Sequence, residues 1–230
     1  GPNGLATGDF NGDRFPDVAV VNQYSDSITF LRGTGGQLVR VDDLSVGEDP
    51  LALSVGDFDG DGFPDVAVSN SSSDNVSYLR GTVEGSLVRA EDIPVGGSPA
   101  ALAAGDYDAD GILDLAVANV DSDSVSWLRK TAAPESGLAT AREIPVGDSP
   151  AALASGDYDR DGVVDLAGAN RDSDNVTWLR GSGPGLAPAG ELTVGERPTA
   201  LLVVDFDADG FPDLAVANRD SDDVTWLRGT

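Results

Sequence analysis

The sequence predicts an all-β fold, a β-propeller of five four-stranded antiparallel blades, and three observations predict it. One pattern recurs five times: GDFNGDRFPDVAVVN from Gly8, GDFDGDGFPDVAVSN from Gly56, GDYDADGILDLAVAN from Gly105, GDYDRDGVVDLAGAN from Gly156 and VDFDADGFPDLAVAN from Val204. Its first Asp falls at 9, 57, 106, 157 and 205, at intervals of 48, 49, 51 and 48 residues. Units of that size must stack on their neighbours to bury their apolar faces. Each unit also holds four short apolar pulses separated by Gly, Pro, Asp and Ser, which is strand punctuation. Finally, helix-forming composition is confined to KTAAPESGLATAR, which Pro134 and Gly137 break. A stacked solenoid is the structural rival, but its rungs are usually shorter.

The elements of one unit follow in order from Ser98. PAALAAGDY is the first strand, an acidic loop follows, and DLAVAN is the second. The polar VDSDS turn leads into VSWLR, a Gly- or Pro-containing connection leads into REIPVG, and DSP opens the next unit. The blades run approximately over 1–48, 49–97, 98–148, 149–196 and 197–230 of a single domain. The last has no counterpart of the outer strands VRVDDLSV, VRAEDIPV, TAREIPV and AGELTV. Its open edge is a template for association, and self-association there is expected. A piece of a larger propeller is the alternative.

Composition narrows the chemistry. The 230 residues include 14 Lys and Arg against 40 Asp and Glu, a net charge of -26, which disfavours nucleic acid and anionic membranes as partners. No apolar run is long enough for membrane insertion. Cys and His are absent, which removes disulfides, zinc centres of the usual kind, thiol nucleophiles and imidazole bases.

The acidic loops carry the candidate site. Their spacing, D-x-[DN]-x-D-x-x-x-D, places side-chain oxygens at positions one, three and five. These belong to Asp9, Asn11 and Asp13; to Asp57, Asp59 and Asp61; to Asp106, Asp108 and Asp110; to Asp157, Asp159 and Asp161; and to Asp205, Asp207 and Asp209. Close acids repel by about 4 kcal/mol per pair at ~4 Å and an effective dielectric near ~20, so a cation among them is expected. Backbone carbonyls at position seven (Phe15, Phe63, Ile112, Val163, Phe211) and carboxylates at position nine (Asp17, Asp65, Asp114, Asp165, Asp213) complete the shell. Calcium, with about six to eight oxygen ligands in flexible geometry, suits this better than magnesium, at about one ion per blade. Gly at position six supplies the positive φ of a tight curl in four copies; Arg14 replaces it in the first. Asn11 also removes a carboxylate there, so the first site is expected to be the weakest. An EF-hand is excluded, because position twelve holds Val20, Val68, Val117, Gly168 or Val216 rather than Glu. An Asp-rich turn bonding its own backbone is the bland alternative, and five copies at one place in the repeat argue against it.

GDFDGDGFPDVAVSN and its siblings, each running into a DLAVAN-type strand, resemble the FG-GAP/VCBS repeats of bacterial secreted and surface proteins, which are related to the propeller of integrin α-subunits. The resemblance covers nearly the whole chain. It implies a propeller with one calcium loop per blade, between the first and second strands, on one rim. Such arrays usually carry more blades than five.

Two further sets of residues recur. The third strand ends in Arg32, Arg80, Arg129, Arg180 and Arg228, expected beside the acids as charge compensation. Two residues earlier stand Phe30, Tyr78, Trp127, Trp178 and Trp226, expected to pack between blades. On the opposite rim, Asp26, Asp74, Asp121, Asp123, Asp172, Asp174, Asp220, Asp222 and Asp223 read as solvated turns, with a ligand rim as the sharper reading. The expected function is a non-catalytic, calcium-binding recognition or adhesion module for a protein or glycan ligand. Secretion or a cell-surface location fits sites that bind at roughly 10⁻⁴–10⁻³ M. A carbohydrate-active lyase or hydrolase would need a carboxylate pair outside the repeat, and none stands out. A purely structural array is the third reading.

Overall fold

The computed structural model describes residues 1–130 and 137–229. Every strand pairs antiparallel with its sequence neighbour, giving four sheets of four strands and one of three. The first sheet is β1 (Pro2–Gly8), β2 (Asp17–Asn22), β3 (Ser27–Gly33) and β4 (Leu38–Ser45). The second is β5 (Pro50–Gly56), β6 (Asp65–Asn70), β7 (Asn75–Gly81) and β8 (Leu87–Pro94). The third holds β9 (Pro99–Gly105), β10 (Asp114–Asn119), β11 (Ser124–Lys130) and β12 (Leu138–Pro145). The fourth holds β13 (Pro150–Gly156), β14 (Asp165–Asn170), β15 (Asn175–Arg180) and β16 (Ala187–Thr193). The fifth has β17 (Pro198–Val204), β18 (Asp213–Asn218) and β19 (Asp223–Leu227). Among the described residues the one helical element is a single 3₁₀ turn, Gln23–Ser25. Of the stretch KTAAPESGLATAR, residues 131–136 lie outside the described residues, and Leu138 onward is strand. No helix among the described residues is long and apolar enough to cross a membrane.

The first strands pack consecutively, β1 on β5, β5 on β9, β9 on β13 and β13 on β17. The apolar core therefore lies between sheets. The second strands β6, β10 and β14 are buried at every position, as a strand covered on both faces requires, which explains their runs of small and branched apolar residues. By contrast β2 and β18, in the two end sheets, are buried only in part.

A bulge in each complete sheet sets how blades interlock. The third and fourth strands slip register after the aromatic, between Phe30 and Leu31, Tyr78 and Leu79, Trp127 and Leu128, and Trp178 and Leu179. One extra residue in the outer strand inverts its alternation. Ile144 thus faces the following blade, whereas Leu138, earlier in the same strand, faces the preceding one and joins Tyr78 in its core.

The opposite rim fastens blade to blade. Asp26, Asp74, Asp123 and Asp174 accept backbone N–H bonds from Asp49, Ser98, Ser149 and Arg197, each opening the next blade, at 3.0, 2.9, 2.9 and 2.8 Å. These acids are staples as well as turn residues, which the reading of solvated turns did not foresee. The Asn ending each second strand is a second unforeseen anchor: Asn70, Asn119, Asn170 and Asn218 donate to Ser77, Ser126, Thr177 and Thr225 at 2.8–2.9 Å.

Candidate metal centre

Each acidic loop is the connection between the first and second strands of its sheet, and backbone N–H groups shape it. In the second blade, Asp57 accepts from Asp61 N at 3.1 Å and Gly62 N at 2.9 Å. Asp59 accepts from Asp61 N at 3.0 Å, and Asp61 from Phe63 N at 2.9 Å. The third, fourth and fifth blades repeat this pattern. The loop is thus an Asx-type turn, as the bland alternative expected, and it also gathers its acids. A carboxylate oxygen accepting one N–H keeps a lone pair for a cation.

Four loops bring three carboxylate oxygens within 4.8 Å of one another: Asp57, Asp59 and Asp61; Asp106, Asp108 and Asp114; Asp157, Asp159 and Asp165; and Asp205, Asp207 and Asp213. Oxygens on opposite sides of a calcium ion lie about 5 Å apart, so the trios fit a hard divalent cation, and such groups can hold a metal ion. The first loop forms no such trio among the described residues. There Asn11 Nδ2 donates to Asp13 Oδ2 at 2.9 Å, an amide donor where the other loops carry a carboxylate. The position-seven residues Phe15, Phe63, Ile112, Val163 and Phe211 bond through their N–H to the position-five Asp.

Position nine anchors the loop to the blade. Asp17, Asp65, Asp114, Asp165 and Asp213 are all buried. Asp65 accepts from Phe58 N at 2.9 Å, Gly81 N at 2.8 Å and the Tyr78 hydroxyl at 2.8 Å. Burial pushes Asp65 up to about 6 and Asp114 up to about 7, despite their N–H donors. Burial also raises Asp59 and Asp108, with neighbouring acids adding to it. Asp161 is held below the usual range by the Val163 N–H and by Arg180. A cation would relieve the raised acids by favouring their charged form.

Two left-handed residues, at positions four and six, define the curl. Position six has positive φ at Gly62, Gly111, Gly162 and Gly210, and Arg14 adopts φ 72 there. Position four is also left-handed, at Ala109, Arg160 and Ala208 with φ of 57, 60 and 59. Sequence reasoning missed this second strain, because only Gly12 and Gly60 signal it.

The recurring arginines reach the acids in four blades. Arg80 lies 3.8 Å from Asp59, and Arg129 lies 3.0 Å from Asp108 and 4.0 Å from Asp110. Arg180 contacts Asp159 at 2.7 Å and Asp161 at 2.8 Å; Arg228 contacts Asp207 at 2.5 Å and Asp209 at 3.1 Å. Arg32 instead donates to the Gly85 carbonyl at 3.0 Å. The aromatics Phe30, Tyr78 and Trp127 are buried between blades, Trp178 lines a cavity, and Trp226 is exposed.

Repeated antiparallel blades, each opened by an acidic hairpin, define a β-propeller of the acidic-loop type. The chain belongs to the FG-GAP-like repeat family, which it matches over residues 9–68, 57–117, 106–168 and 157–216. No curated protein matches it. Solved structures share its fold. A protein from Lactobacillus plantarum aligns with a TM-score of 0.76 at 15% identity, over 100% of this chain and 69% of that one. BBS1N, crystallised in complex with ARL6DN, aligns at 0.68 and 14% over 98% of this chain and 67% of that one. A functionally unknown protein from Desulfotomaculum acetoxidans aligns at 0.64 and 13%, over 99% and 72%.

Proposed function

We propose that the chain is a non-catalytic, calcium-stabilised recognition module that acts outside the cell and binds a protein or a glycan. The observation that carries this is the convergence of carboxylate oxygens within 4.8 Å in four of the hairpins, on an all-oxygen donor set that suits calcium. Bound calcium would neutralise acids whose mutual repulsion otherwise opposes the curl of each loop. Asp57, Asp59 and Asp61 would hold it in the second blade, and Asp106, Asp108 and Asp114, Asp157, Asp159 and Asp165, and Asp205, Asp207 and Asp213 in the three that follow. Asp114, Asp165 and Asp213 would link the ion to the blade through the backbone N–H groups of Tyr107, Tyr158 and Phe206.

The strongly perturbed carboxyls do not argue for an enzyme. Asp65 and Asp114 are buried and held by backbone donors within the blade, which supports a structural role for them. A rigid scaffold with loops on two rims is instead suited to recognition. A glycan array and a surface-protein panel, each probed in calcium and again in EDTA, test the reading. Calcium-dependent capture of a defined glycan or protein is the expected result; turnover of a polysaccharide, or no capture at all, would contradict it.

A further inference from the structure

Lys130 is the only lysine of the chain, and it stands where the other four blades carry glycine. The residue after Leu-Arg at the end of the third strand is Gly33, Gly81, Gly181 or Gly229 in those blades. Each of these donates its N–H to the position-nine acid of its own blade at 2.8 Å. A Cβ at any of them would collide with the backbone carbonyl of Pro16, Pro64, Val164 or Pro212. Those four blades therefore leave no room for a side chain at this point. The third blade alone carries one.

That side chain crosses to the neighbouring blade. Its ammonium donates to the backbone carbonyl of Asp59, in the acidic hairpin of the second blade. Gly60, at position four of that hairpin with φ 71, admits it: a Cβ there would lie 3.3 Å from Lys130 Nζ. Of the four hairpins with a convergent trio, the second also has its own arginine standing farthest off. Arg80 lies 3.8 Å from Asp59, whereas Arg129, Arg180 and Arg228 approach Asp108, Asp159 and Asp207 to 3.0, 2.7 and 2.5 Å. Its trio differs too: Asp57, Asp59 and Asp61 come from positions one, three and five, while the other three trios take the position-nine acid. The second hairpin thus receives from the third blade a cation that no other hairpin is given by a lysine.

We propose that Lys130 is a tethered cation that lowers the calcium affinity of the second hairpin below that of the third, fourth and fifth. The inference rests on the calcium reading of these loops and adds to it a residue that grades them. While the hairpin is empty, a positive charge on the backbone of Asp59 offsets the repulsion among Asp57, Asp59 and Asp61. Once a divalent cation enters, the same charge repels it from well inside the Debye length of ~8 Å at physiological ionic strength. Both effects favour the empty hairpin, so they add. The second blade then loads last of the four, over a calcium range in which the others are already filled.

The test is a calcium titration of the chelator-stripped whole chain, followed by NMR at the amides of Gly62, Gly111, Gly162 and Gly210. Each of these N–H groups donates to the first Asp of its own hairpin and so reports on one site. The wild type is compared with Lys130→Met, Lys130→Gly and Lys130→Arg. Removing the charge, by Met or by the glycine of the other blades, should tighten the second hairpin at least about fivefold and leave the other three within about twofold. The gain should shrink in about 1 M KCl, where the Debye length falls to ~3 Å. Lys130→Arg should keep the wild-type order of filling. A Gly62 midpoint that neither Met nor Gly moves, or that Arg moves as far as they do, overturns the proposal while the calcium reading stands. A gain indifferent to salt overturns it as well. Should no hairpin of the wild type saturate, the calcium reading falls and this inference with it.

Discussion

Tyr78 donates its hydroxyl to Asp65 at 2.8 Å, joining the aromatic of a third strand to the last acid of the hairpin in the same blade. Through this bond the loop geometry on the rim is coupled to packing between blades, because Tyr78 is fully buried beside Leu138 of the next blade. The first blade places Phe30 in the same position and stacks it edge-on against Phe10, with centroids 5.4 Å apart.

Replacing Tyr78 by Phe removes that donor and leaves a buried carboxylate one bond short. A lost bond to a charged group costs about 1.5–3 kcal/mol. Urea denaturation in calcium should show a loss of that size with little change in slope. A loss below about 0.5 kcal/mol would mean that the bond contributes nothing net.

Arg14→Gly relieves a left-handed side-chain residue at φ 72. The expected gain is about 1 kcal/mol in the melting or denaturant midpoint. It should also tighten the first hairpin's hold on calcium, although Asn11 still keeps that site the weakest. Unchanged stability would place the strain elsewhere.

Much of this was legible in the sequence, and the reasons differ by feature. The five repeats, the strand pulses and the loop spacing are local patterns, and local patterns survive in one dimension. Arg32, Arg80, Arg129, Arg180 and Arg228 were placed beside the acids because strands that alternate in direction end on a fixed rim, and all but Arg32 reach them. The position-nine acids were expected only as ligands, since nothing local shows that Gly81 N and Tyr78 converge on Asp65 from another strand. Leu87, Leu138 and Leu186, which open the outer strands and pack on the preceding blade, stand at regular intervals in the sequence, yet an apolar residue there carries no sign of its destination. Only the register slip shows that it faces the preceding blade.

The staple bonds allow a matched comparison on the other rim. Asp123 accepts the Ser149 N–H of the next blade, whereas Asp222 makes no such bond among the described residues. Asp123→Ala should cost about 1 kcal/mol, and Asp222→Ala less than about 0.5 kcal/mol, in paired thermal melts. Equal effects would show that the bond between blades is not what matters.

Stability without calcium should fall as pH rises. Asp65 and Asp114 are held up to about 6 and about 7 in the fold, above an unfolded value of about 3.9. Between these values the folded chain binds more protons than the unfolded one, so the slope of stability with pH is negative. In EDTA the melting midpoint should be higher at about pH 5 than at about pH 7.5. Calcium favours the charged acids and should reverse that order; a midpoint in EDTA that climbs toward neutral pH would contradict the assignment.

The most direct test is calorimetric titration of chelator-stripped chain with calcium, paired with its melting curve. The account predicts at least four saturable sites, the four convergent trios, with the first hairpin weaker or silent. It also predicts a rise in stability of about 2.7 kcal/mol per site at a hundredfold excess over Kd. No saturable heat, together with a melting midpoint that calcium does not move, would contradict it.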